Sequence, residues 1–233
     1  MLVWLASYPR SGNGFAREVL YSLYGIRTYS IYEGDRFPIS RITKAKTLES
    51  QLGEIHHNEK VIIVKTHQLP TESEYPAIYI VRDGRDSMVS YAWFNIYRGS
   101  RLRWLQLFGH KPHVRKEVFS DMLKQQILSQ NEANGNWSQN TSAWATRPNT
   151  VVIRFEQLIQ EPANEISNAI QELHLPFSLN NEYKIPSFDN LQKRAPHLYR
   201  RGKIGCWKDE FPIDLQSLFW ETHGLAMRML KYK

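Results

Sequence analysis

Near its start the chain reads SYPRSGNGF, from Ser7 to Phe15, between an apolar run at residues 2–6 and a helical pattern at residues 15–24. The apolar side chains of the second segment recur at helical spacing, so the quoted stretch links a strand to a helix. Its two glycines permit positive φ angles and close approach of backbone N–H groups to a ligand. Because a helix N-terminus adds partial positive charge, the stretch predicts a phosphate-binding turn.

This turn differs from the P-loop of ATP- and GTP-binding proteins. It lacks the sequence G-x-x-x-x-G-K-[ST], and its basic side chain is Arg10. Short glycine turns also occur in ordinary loops, but the position between a strand and a helix favours anion binding. We therefore expect a phosphorylated ligand other than a simple nucleoside triphosphate.

Apolar runs and helical patterns alternate along the chain. The runs predict strands near residues 2–6, 61–65, 77–82 and 151–155. The helical patterns fall at residues 15–24, 85–97, roughly 120–144, 162–173 and 215–230. This order predicts an α/β fold: a single three-layer domain over residues 1–233, with a central, mainly parallel sheet flanked by helices, as in P-loop NTPases. Ligands of such sheets bind at the carboxyl ends of the strands, where the glycine turn lies.

Further segments follow the turn in a characteristic order. They are VKTHQLP at residues 64–70, IVRDGRDSMVSYAWF at 80–94, YRRGKIGCWKDEF at 199–211 and, more loosely, SFDNL at 187–191. Together with the turn they resemble the motifs TYPKSGTTW, K-x-H, R-x-x-x-D-x-x-V-S-Y and R-K-G-x-x-G-x-W-K of the cytosolic sulfotransferases that use 3′-phosphoadenosine 5′-phosphosulfate (PAPS). The resemblance covers nearly the whole chain. It implies an enzyme that moves a sulfuryl group from PAPS to an acceptor and releases 3′-phosphoadenosine 5′-phosphate (PAP).

Two residues of the second segment suit this chemistry by their residue types. Sulfuryl transfer needs a base for the acceptor proton and cations over the oxygens that gain charge. Lys65 and His67 are two residues apart at a predicted strand end, so they point to the same side, and histidine titrates near neutral pH. In isolation, K-T-H favours a strand-end histidine bonded to a backbone carbonyl. Beside the other motifs, the catalytic interpretation is favoured, with His67 as general base.

The resemblance also implies a role for each matched position. Arg10 stands where the family usually has a lysine that stabilises the departing phosphate, and Ser90 would interact with it, so the expected catalytic residues are His67, Lys65, Arg10 and Ser90. Phe15 and Phe188 would sandwich the adenine. The residues expected to bind the nucleotide are Arg10, Ser11, Gly12, Asn13, Gly14, Phe15, Arg82, Ser90, Phe155, Ser187, Phe188, Arg200, Arg201 and Gly202.

The chain departs from the family pattern at several of these positions. A guanidinium at Arg10 replaces an amine, so electrostatic stabilisation is retained while a role as leaving-group acid is not expected. Asn13 and Gly14 replace two threonines, and Phe155 stands where a tyrosine is usual. The segment after Phe211 lacks the family's dimer motif K-x-x-x-T-V-x-x-x-E, which leaves the oligomeric state open.

The cysteine and carboxylate pattern predicts neither a disulfide nor a metal site. Cys206 is the only cysteine, so no intramolecular disulfide is possible. Asp83 and Asp86 flank Arg82 and Arg85 and are expected to pair with them, or to cap the following helix, rather than hold Mg²⁺. The apolar runs are too short to span a bilayer, and no basic segment precedes the first of them. We expect a cytoplasmic protein without a cleaved signal, bound metal or membrane contact.

The net charge of +7 is compatible with nucleic acid, a membrane surface or a small polyanion as partner. The basic residues near the C-terminus coincide with the R-R-G segment and suit a nucleotide with about four negative charges. Two alternative functions are a P-loop-like kinase and a nucleic-acid-binding domain. The kinase would need G-K-[ST] and a Walker-B acid, and the binding domain would need a recognised motif. The sequence shows none of these features. The favoured partner is a small-molecule acceptor with a hydroxyl group, and an amine or a guanidinium nitrogen ranks second as the acceptor group. The aromatic residues expected to line the acceptor pocket or its lid are Tyr91, Trp93, Phe94, Tyr97, Trp104 and Phe108. For at least half of them, packing in the core is the better explanation.

Overall fold

A computed structural model of the protein describes residues 1–32, 61–98, 114–180, 184–196 and 198–233. The chain divides into two compact units. The first, called the sheet unit, comprises the described parts of Met1–Ser7, Gly12–Val81 and Ala143–Ile185. The second, called the helical unit, comprises the described parts of Tyr8–Ser11, Arg82–Ser142 and Pro186–Lys233. The single domain over residues 1–233 stays a prediction.

The sheet unit contains, among its described residues, five parallel strands in the order β2-β3-β1-β4-β5. They are β1 Leu2–Ser7, β2 Tyr29–Ser30, β3 Ile62–Thr66, β4 Ala77–Val81 and β5 Thr150–Arg154. The central strands β1 and β4 are buried along their whole length, as expected for a parallel sheet with both faces covered. The predicted parallel sheet is confirmed. Strand β2 was not predicted, because two residues carry no readable alternation.

The described helices are spread over both units. They are α1 Asn13–Tyr24, α2 Gly84–Arg98, α3 Lys116–Ile127, α4 Trp137–Ala145, α5 Phe155–Leu158, α6 Pro162–Glu172, α7 Phe188–Arg194, α8 Trp207–Glu210 and α9 Gln216–Met229, with a 3₁₀ turn at Ile213–Leu215. Four of the five predicted helical patterns correspond to α1, α2, α6 and α9 to within two residues at each end.

The core of the sheet unit lies between one face of the sheet and helices α1 and α6. The buried side chains that form it include Val3, Leu5, Ile78 and Ile80 of the strands, Val19 and Leu20 of α1, and Ile166 and Ile170 of α6. Burying apolar area of this kind is the main stabilising contribution, about 25 cal/mol for each Å². This packing fixes the N-terminus of α1 at the carboxyl end of β1, where the glycine turn begins. On the opposite face, Tyr79 stacks on Trp144 with ring centroids 6.1 Å apart.

The core of the helical unit joins α2, α3 and α9. Its buried side chains include Met88 and Ala92 of α2, Leu123 and Ile127 of α3, and Phe219 and Met227 of α9. Gly84 at the start of α2 is closely packed, because a Cβ there would lie 3.0 Å from the Trp137 ring and 3.1 Å from Phe219, and these rings would have to shift by a few tenths of an ångström. Close packing of this kind holds α2, which carries Ser90, firmly in place.

The helix predicted at roughly residues 120–144 is wrong as a single element. Helix α3 ends at Ile127 and α4 begins at Trp137. Gly135 in the connecting segment has a φ of 64°, a left-handed value that a helix cannot accommodate. Asn136 and Gln139 then form reciprocal caps, since each backbone N–H donates to the other's side-chain oxygen at 2.8–2.9 Å. The sequence N-x-x-Q was the signal for this new start.

The aromatic stretch predicted near the acceptor lies only partly in the described chain. Trp104 and Phe108 fall outside the described residues. Trp93 on α2 stacks on Phe119 of α3 at 4.8 Å and on Tyr97 at 5.6 Å, so it packs within the helical unit.

None of the helices among the described residues combines the length and apolar character needed to cross a bilayer.

Candidate active site

The glycine turn follows β1 directly and uses left-handed backbone at two positions. Arg10 has a φ of 69° and Gly12 a φ of 102°. Gly12 is the N-cap residue of α1, and a Cβ there would lie 2.4 Å from the ring of Phe155. The position therefore requires glycine both for its φ and for the aromatic ring above it. Phe155 is buried in the core of the sheet unit, and its ring packs on Gly12 of the turn.

The sheet unit carries the predicted base. His67 follows the end of β3, and its Nδ1 lies 2.8 Å from the backbone carbonyl oxygen of Ser7 and 3.2 Å from the Ser7 Oγ. A carbonyl oxygen only accepts hydrogen bonds, so Nδ1 is the protonated nitrogen of the neutral ring. The lone pair is then on Nε2, which is the form that a general base requires.

Tyr32 contacts both predicted catalytic residues of the K-T-H segment, Lys65 in β3 and His67 just after it. Its ring stacks on the imidazole of His67 with centroids 5.5 Å apart, and its hydroxyl accepts a hydrogen bond of 2.8 Å from the His67 backbone N–H. The ammonium of Lys65 lies 5.5 Å from the centroid of the same ring. A cation over an aromatic face is stabilised electrostatically. Tyr32 and Ser7 were not predicted, since neither forms a pattern with the K-T-H segment.

Asn13 and Phe15 at the start of α1 make contacts within the sheet unit. The Asn13 amide donates to the Leu5 carbonyl oxygen at 2.9 Å and to the Ser7 Oγ at 3.3 Å. Its Oδ1 is buried and has no hydrogen-bond partner among the described residues. Phe15 is partly buried against the core. The Asn13 amide thus fixes the turn to β1, and nucleotide contacts of Asn13, Gly14 and Phe15 stay predictions.

In the helical unit, Arg10 is held by three different groups. Its Nε donates to the Ser90 Oγ at 3.3 Å, its Nη2 donates to the Leu198 carbonyl oxygen at 2.7 Å, and its guanidinium lies 5.0 Å from the centre of the Phe94 ring. The predicted interaction of Arg10 with Ser90 is present. Nearby, the hydroxyls of Ser11 and Ser87 are 3.2 Å apart, which ties the turn to α2.

The electrostatic surroundings of Arg10 are unfavourable for its charge. Its pKa is lowered to about 10, first by burial and then by the positive charges of Arg82 and Arg200. The side chain is nevertheless protonated at neutral pH. Within the described part of the chain its contacts include no carboxylate. An anion beside these guanidinium groups would relieve their mutual repulsion.

Arg82 is the first residue of the second segment of the helical unit, and it links the turn to the C-terminal segment. Its Nη1 donates to the Arg10 carbonyl oxygen at 3.3 Å and its Nη2 to the Lys203 carbonyl oxygen at 3.1 Å. Asp86 lies 3.5 Å from Arg82 and accepts from the backbone N–H groups of Gly205 and Trp207 at 2.8 and 2.9 Å. The predicted pairing of Asp86 with Arg82 is confirmed, and Asp86 also anchors the R-R-G segment.

Arg200 and Arg201 share one acidic partner. Glu210 accepts two bonds from the Arg200 Nη1, at 2.9 and 2.8 Å, and lies 3.3 Å from the Arg201 Nη1. Glu210 was not predicted as a member of the site. No local pattern marked it, because Glu210 follows Arg200 by ten residues, well beyond the three- and four-residue spacings at which helix positions are neighbours.

Phe188 and Gly202 are in close contact. Gly202 has a φ of 59°, and a Cβ there would lie 2.1 Å from the Phe188 ring. Ser187 is the N-cap of α7, where its side chain accepts a bond of 3.3 Å from the Asn190 N–H. The structure brings the two predicted nucleotide-binding segments 187–188 and 200–202 together, and it shows Ser187 in a capping role.

Carboxylates in the described ranges do not group into a metal centre. No cluster of three or more His, Cys, Asp or Glu side chains among these residues could hold a metal ion. Asp83 pairs with Arg85 at 2.7 Å, as predicted.

Comparison with known proteins gives a consistent result. A family model described as a sulfotransferase domain matches residues 2–229. Mouse Sulfotransferase 1E1 is 24% identical over 96% of this chain and 82% of its own length. Zebrafish (Danio rerio) Cytosolic sulfotransferase 1 is 24% identical over 71% of this chain and 60% of its own length.

Similarity to a solved structure supports the same fold. The crystal structure of mouse sulfotransferase SULT7A1 complexed with PAP has a TM-score of 0.67 and 18% identity, and the match covers 100% of this chain and 89% of that one. At this identity the likeness concerns the fold, which is the α/β arrangement with a central parallel sheet. Because the family model extends over almost the entire sequence, this chain belongs to the sulfotransferase domain family.

Proposed function

We propose that this protein transfers a sulfuryl group from PAPS to a hydroxyl of a small-molecule acceptor, with His67 as general base. The observation that carries the proposal is the buried Arg10 guanidinium, which lies beside Arg82 and Arg200 and has its pKa lowered to about 10. Such a group favours an anion with several charges. The PAP complex of the similar mouse SULT7A1 supports PAPS as the donor.

The reaction requires one proton transfer and one substitution at sulfur. The acceptor oxygen forms a bond to sulfur while the bond from sulfur to the bridging oxygen breaks, and PAP leaves with that electron pair. The acceptor proton passes to Nε2 of His67. The protonated Nδ1 of the same ring donates a hydrogen bond to the backbone carbonyl oxygen of Ser7. Lys65 and Arg10 supply positive charge that stabilises the oxygens on which negative charge develops.

The residues proposed to hold the donor come from several segments. We assign the 5′-phosphosulfate to Ser11, Gly12 and the N-terminus of α1. Arg82, Ser90, Arg200 and Arg201 would bind the 3′-phosphate, because planar guanidinium groups match phosphate oxygens. Phe188 would stack on the adenine, and Gly202 permits its approach to the R-R-G segment.

A polar cavity in the helical unit is the proposed place for part of the acceptor. Its described lining includes Tyr8 and Pro9, which precede Arg10, Tyr91, which follows Ser90, and the buried amide of Gln126. The described lining residues carry no formal charge. We therefore favour a neutral acceptor with a hydroxyl, and an amine acceptor second.

We also propose a cytoplasmic location, because the similar zebrafish protein is a cytosolic sulfotransferase.

Ligand-dependent stability separates this proposal from a kinase and from a nucleic-acid-binding domain. A ligand that binds the native state raises the melting temperature. We expect a clear increase with PAP and little change with ATP·Mg²⁺ or an oligonucleotide. Stabilisation by ATP·Mg²⁺ or by the oligonucleotide, but not by PAP, would overturn the proposal.

Turnover is tested with PAPS and an acceptor panel, with sulfated products detected by mass spectrometry. We expect activity to persist in excess EDTA with the rate changed less than about threefold, since loss of a catalytic metal costs several kcal/mol. Adenosine 5′-phosphosulfate (APS) lacks only the 3′-phosphate of PAPS. We expect APS to be a poorer donor than PAPS, because Arg82, Arg200 and Arg201 would have no phosphate to bind. Equal use of both donors contradicts the assignment of Arg82, Arg200 and Arg201.

A further inference from the structure

Glu210 neutralises the arginines that are proposed to bind the 3′-phosphate. Its carboxylate lies 2.8 and 2.9 Å from the Nη1 of Arg200 and 3.3 Å from the Nη1 of Arg201. The Glu210 side chain is only 12% exposed. Because water screens the pair with Arg200 weakly, the carboxylate offsets a large part of the Arg200 charge. The Arg201 side chain is 43% exposed, so solvent screens its attraction to Glu210 more strongly.

Other contacts keep Glu210 in this position. Its Oε2 accepts a hydrogen bond of 2.7 Å from the indole nitrogen of Trp93. Trp93 in turn stacks on Phe119 at 4.8 Å, which fixes the indole within the core of the helical unit. Glu210 also belongs to helix α8, so both its backbone and its carboxylate are held. This is a built charge pair rather than a chance contact between mobile surface side chains.

The arrangement leaves part of Arg200 available. Glu210 uses Nη1 alone, while the Nε of Arg200 is buried and has no hydrogen-bond partner among the described residues. A buried N–H of a charged group without a partner is costly and favours an incoming acceptor. Arg200 can therefore donate a hydrogen bond from Nε to a second anion while Nη1 stays bonded to Glu210.

The 3′-phosphate and Glu210 would then carry like charges on the same two arginines. Like charges a few ångström apart in a partly buried site repel each other, so each weakens the binding of the other. We propose that Glu210 lowers the affinity of Arg200 and Arg201 for the 3′-phosphate, and so keeps the binding of PAPS and PAP weaker than the arginine cluster alone would allow. This inference rests on the proposed PAPS-dependent function. Its consequence is faster release of PAP after each turnover.

The test compares PAP with AMP, which lacks only the 3′-phosphate, by isothermal titration calorimetry. Glu210→Gln removes the charge and keeps the size and an oxygen for Trp93. We expect Glu210→Gln to bind PAP about 5–30-fold more tightly, a range that follows from one charge at several ångström in a medium of intermediate dielectric. The affinity for AMP should change less than about twofold by the same argument.

Asp209→Asn is the matched control. Asp209 is the neighbouring carboxylate, lies 3.6 Å from Arg201 and is 77% exposed, so solvent screens its charge. We expect Asp209→Asn to leave the PAP affinity within about twofold of wild type. Glu210→Met, which is neutral and of similar length, should reproduce the tightening, so that the test holds if Glu210→Gln fails to fold.

Three outcomes overturn the inference: unchanged or weaker PAP binding in the neutral variants, equal tightening for PAP and AMP, or the same effect in Asp209→Asn. Failure of the wild-type protein to bind PAP would instead overturn the proposed function. The two failures are therefore distinguishable in one set of titrations.

Discussion

The Nδ1 atom of His67 lies 2.8 Å from the backbone carbonyl oxygen of Ser7, the last residue of the central strand β1. The carbonyl can only accept, so this contact fixes which ring nitrogen carries the proton. Ser7 is fully buried, and the strand that carries it is paired on both sides. The orientation of the imidazole is consequently set by rigid backbone, which is a suitable support for a general base.

The first prediction concerns the tautomer of His67. We expect the neutral ring to be protonated at Nδ1, because the Ser7 carbonyl accepts from that nitrogen. Long-range ¹H–¹⁵N NMR on the ¹⁵N-histidine-labelled protein at neutral pH reports the protonated nitrogen. A ring protonated at Nε2 would be inconsistent with the observed bond.

The second prediction concerns turnover without the His67 imidazole. His67→Ala should lower kcat by about 10²–10⁴-fold, the usual contribution of a general base, and leave the PAP affinity nearly unchanged. Steady-state kinetics and PAP titration measure the two effects separately. His174→Asn is the control, because His174 has a φ of 50°, which asparagine adopts readily. Near-native turnover of His67→Ala would refute the assignment of the base.

The third prediction concerns Arg10. Arg10→Met should weaken PAP binding by about 10–100-fold, since a hydrogen bond to a charged group contributes about 1.5–3 kcal/mol. Arg10→Lys retains the charge but loses the forked donor set that reaches Ser90 and Leu198, so we expect an intermediate affinity. Titration with PAP at constant ionic strength checks both variants. Equal affinities of wild type and Arg10→Met would remove Arg10 from the donor site.

The fourth prediction compares two glycines with positive φ. Gly202 and Gly205 have φ angles of 59° and 73°, so alanine is strained at both, by about 1 kcal/mol. A Cβ at Gly202 would lie 2.1 Å from the Phe188 ring, whereas at Gly205 its nearest contact is 3.8 Å away on Lys208. Gly202→Ala must therefore displace Phe188, and we expect it to weaken PAP binding at least about tenfold. Gly205→Ala should weaken it clearly less, and equal effects would show that backbone strain alone is responsible.

The fifth prediction concerns stability in acid. Burial lowers the pKa of His223 to about 4, although the bond to the Ile127 carbonyl opposes this shift. Since the unfolded chain binds this proton near pH 6.5 and the native state does not, the stability is fully present above about pH 6.5 and falls as the pH is lowered towards about 4. The loss for this group is about 3 kcal/mol at most.

Urea unfolding at pH 7.5 and pH 5 measures this loss. His223→Gln removes the titrating group and should reduce the difference between the two pH values. Ser138→Ala keeps the histidine and removes the hydroxyl 2.7 Å from its Nδ1, so it should lower the stability while retaining a pH dependence. An undiminished pH dependence in His223→Gln would assign the effect to other groups.

The sequence by itself predicted the strand, turn and helix at residues 2–24 and the parallel character of the sheet. These features depend on the spacing of apolar residues and on glycine, which are local properties. It also predicted the pairing of Arg82 with Asp86, because the aspartates flank the arginines closely in the sequence. The break between α3 and α4 was missed, although Gly135 and the Asn136 cap marked it locally.

Only the tertiary structure decided how the candidate catalytic groups are supported. Ser7 lies 60 residues before His67, and Glu210 lies 117 residues after Trp93. Such contacts arise when strands pair and helices pack, and no local pattern encodes which distant side chain will meet another. The residues of the candidate site near the turn could therefore be predicted from the sequence. The tautomer of His67 and the counter-charge on Arg200 depend on the folded chain.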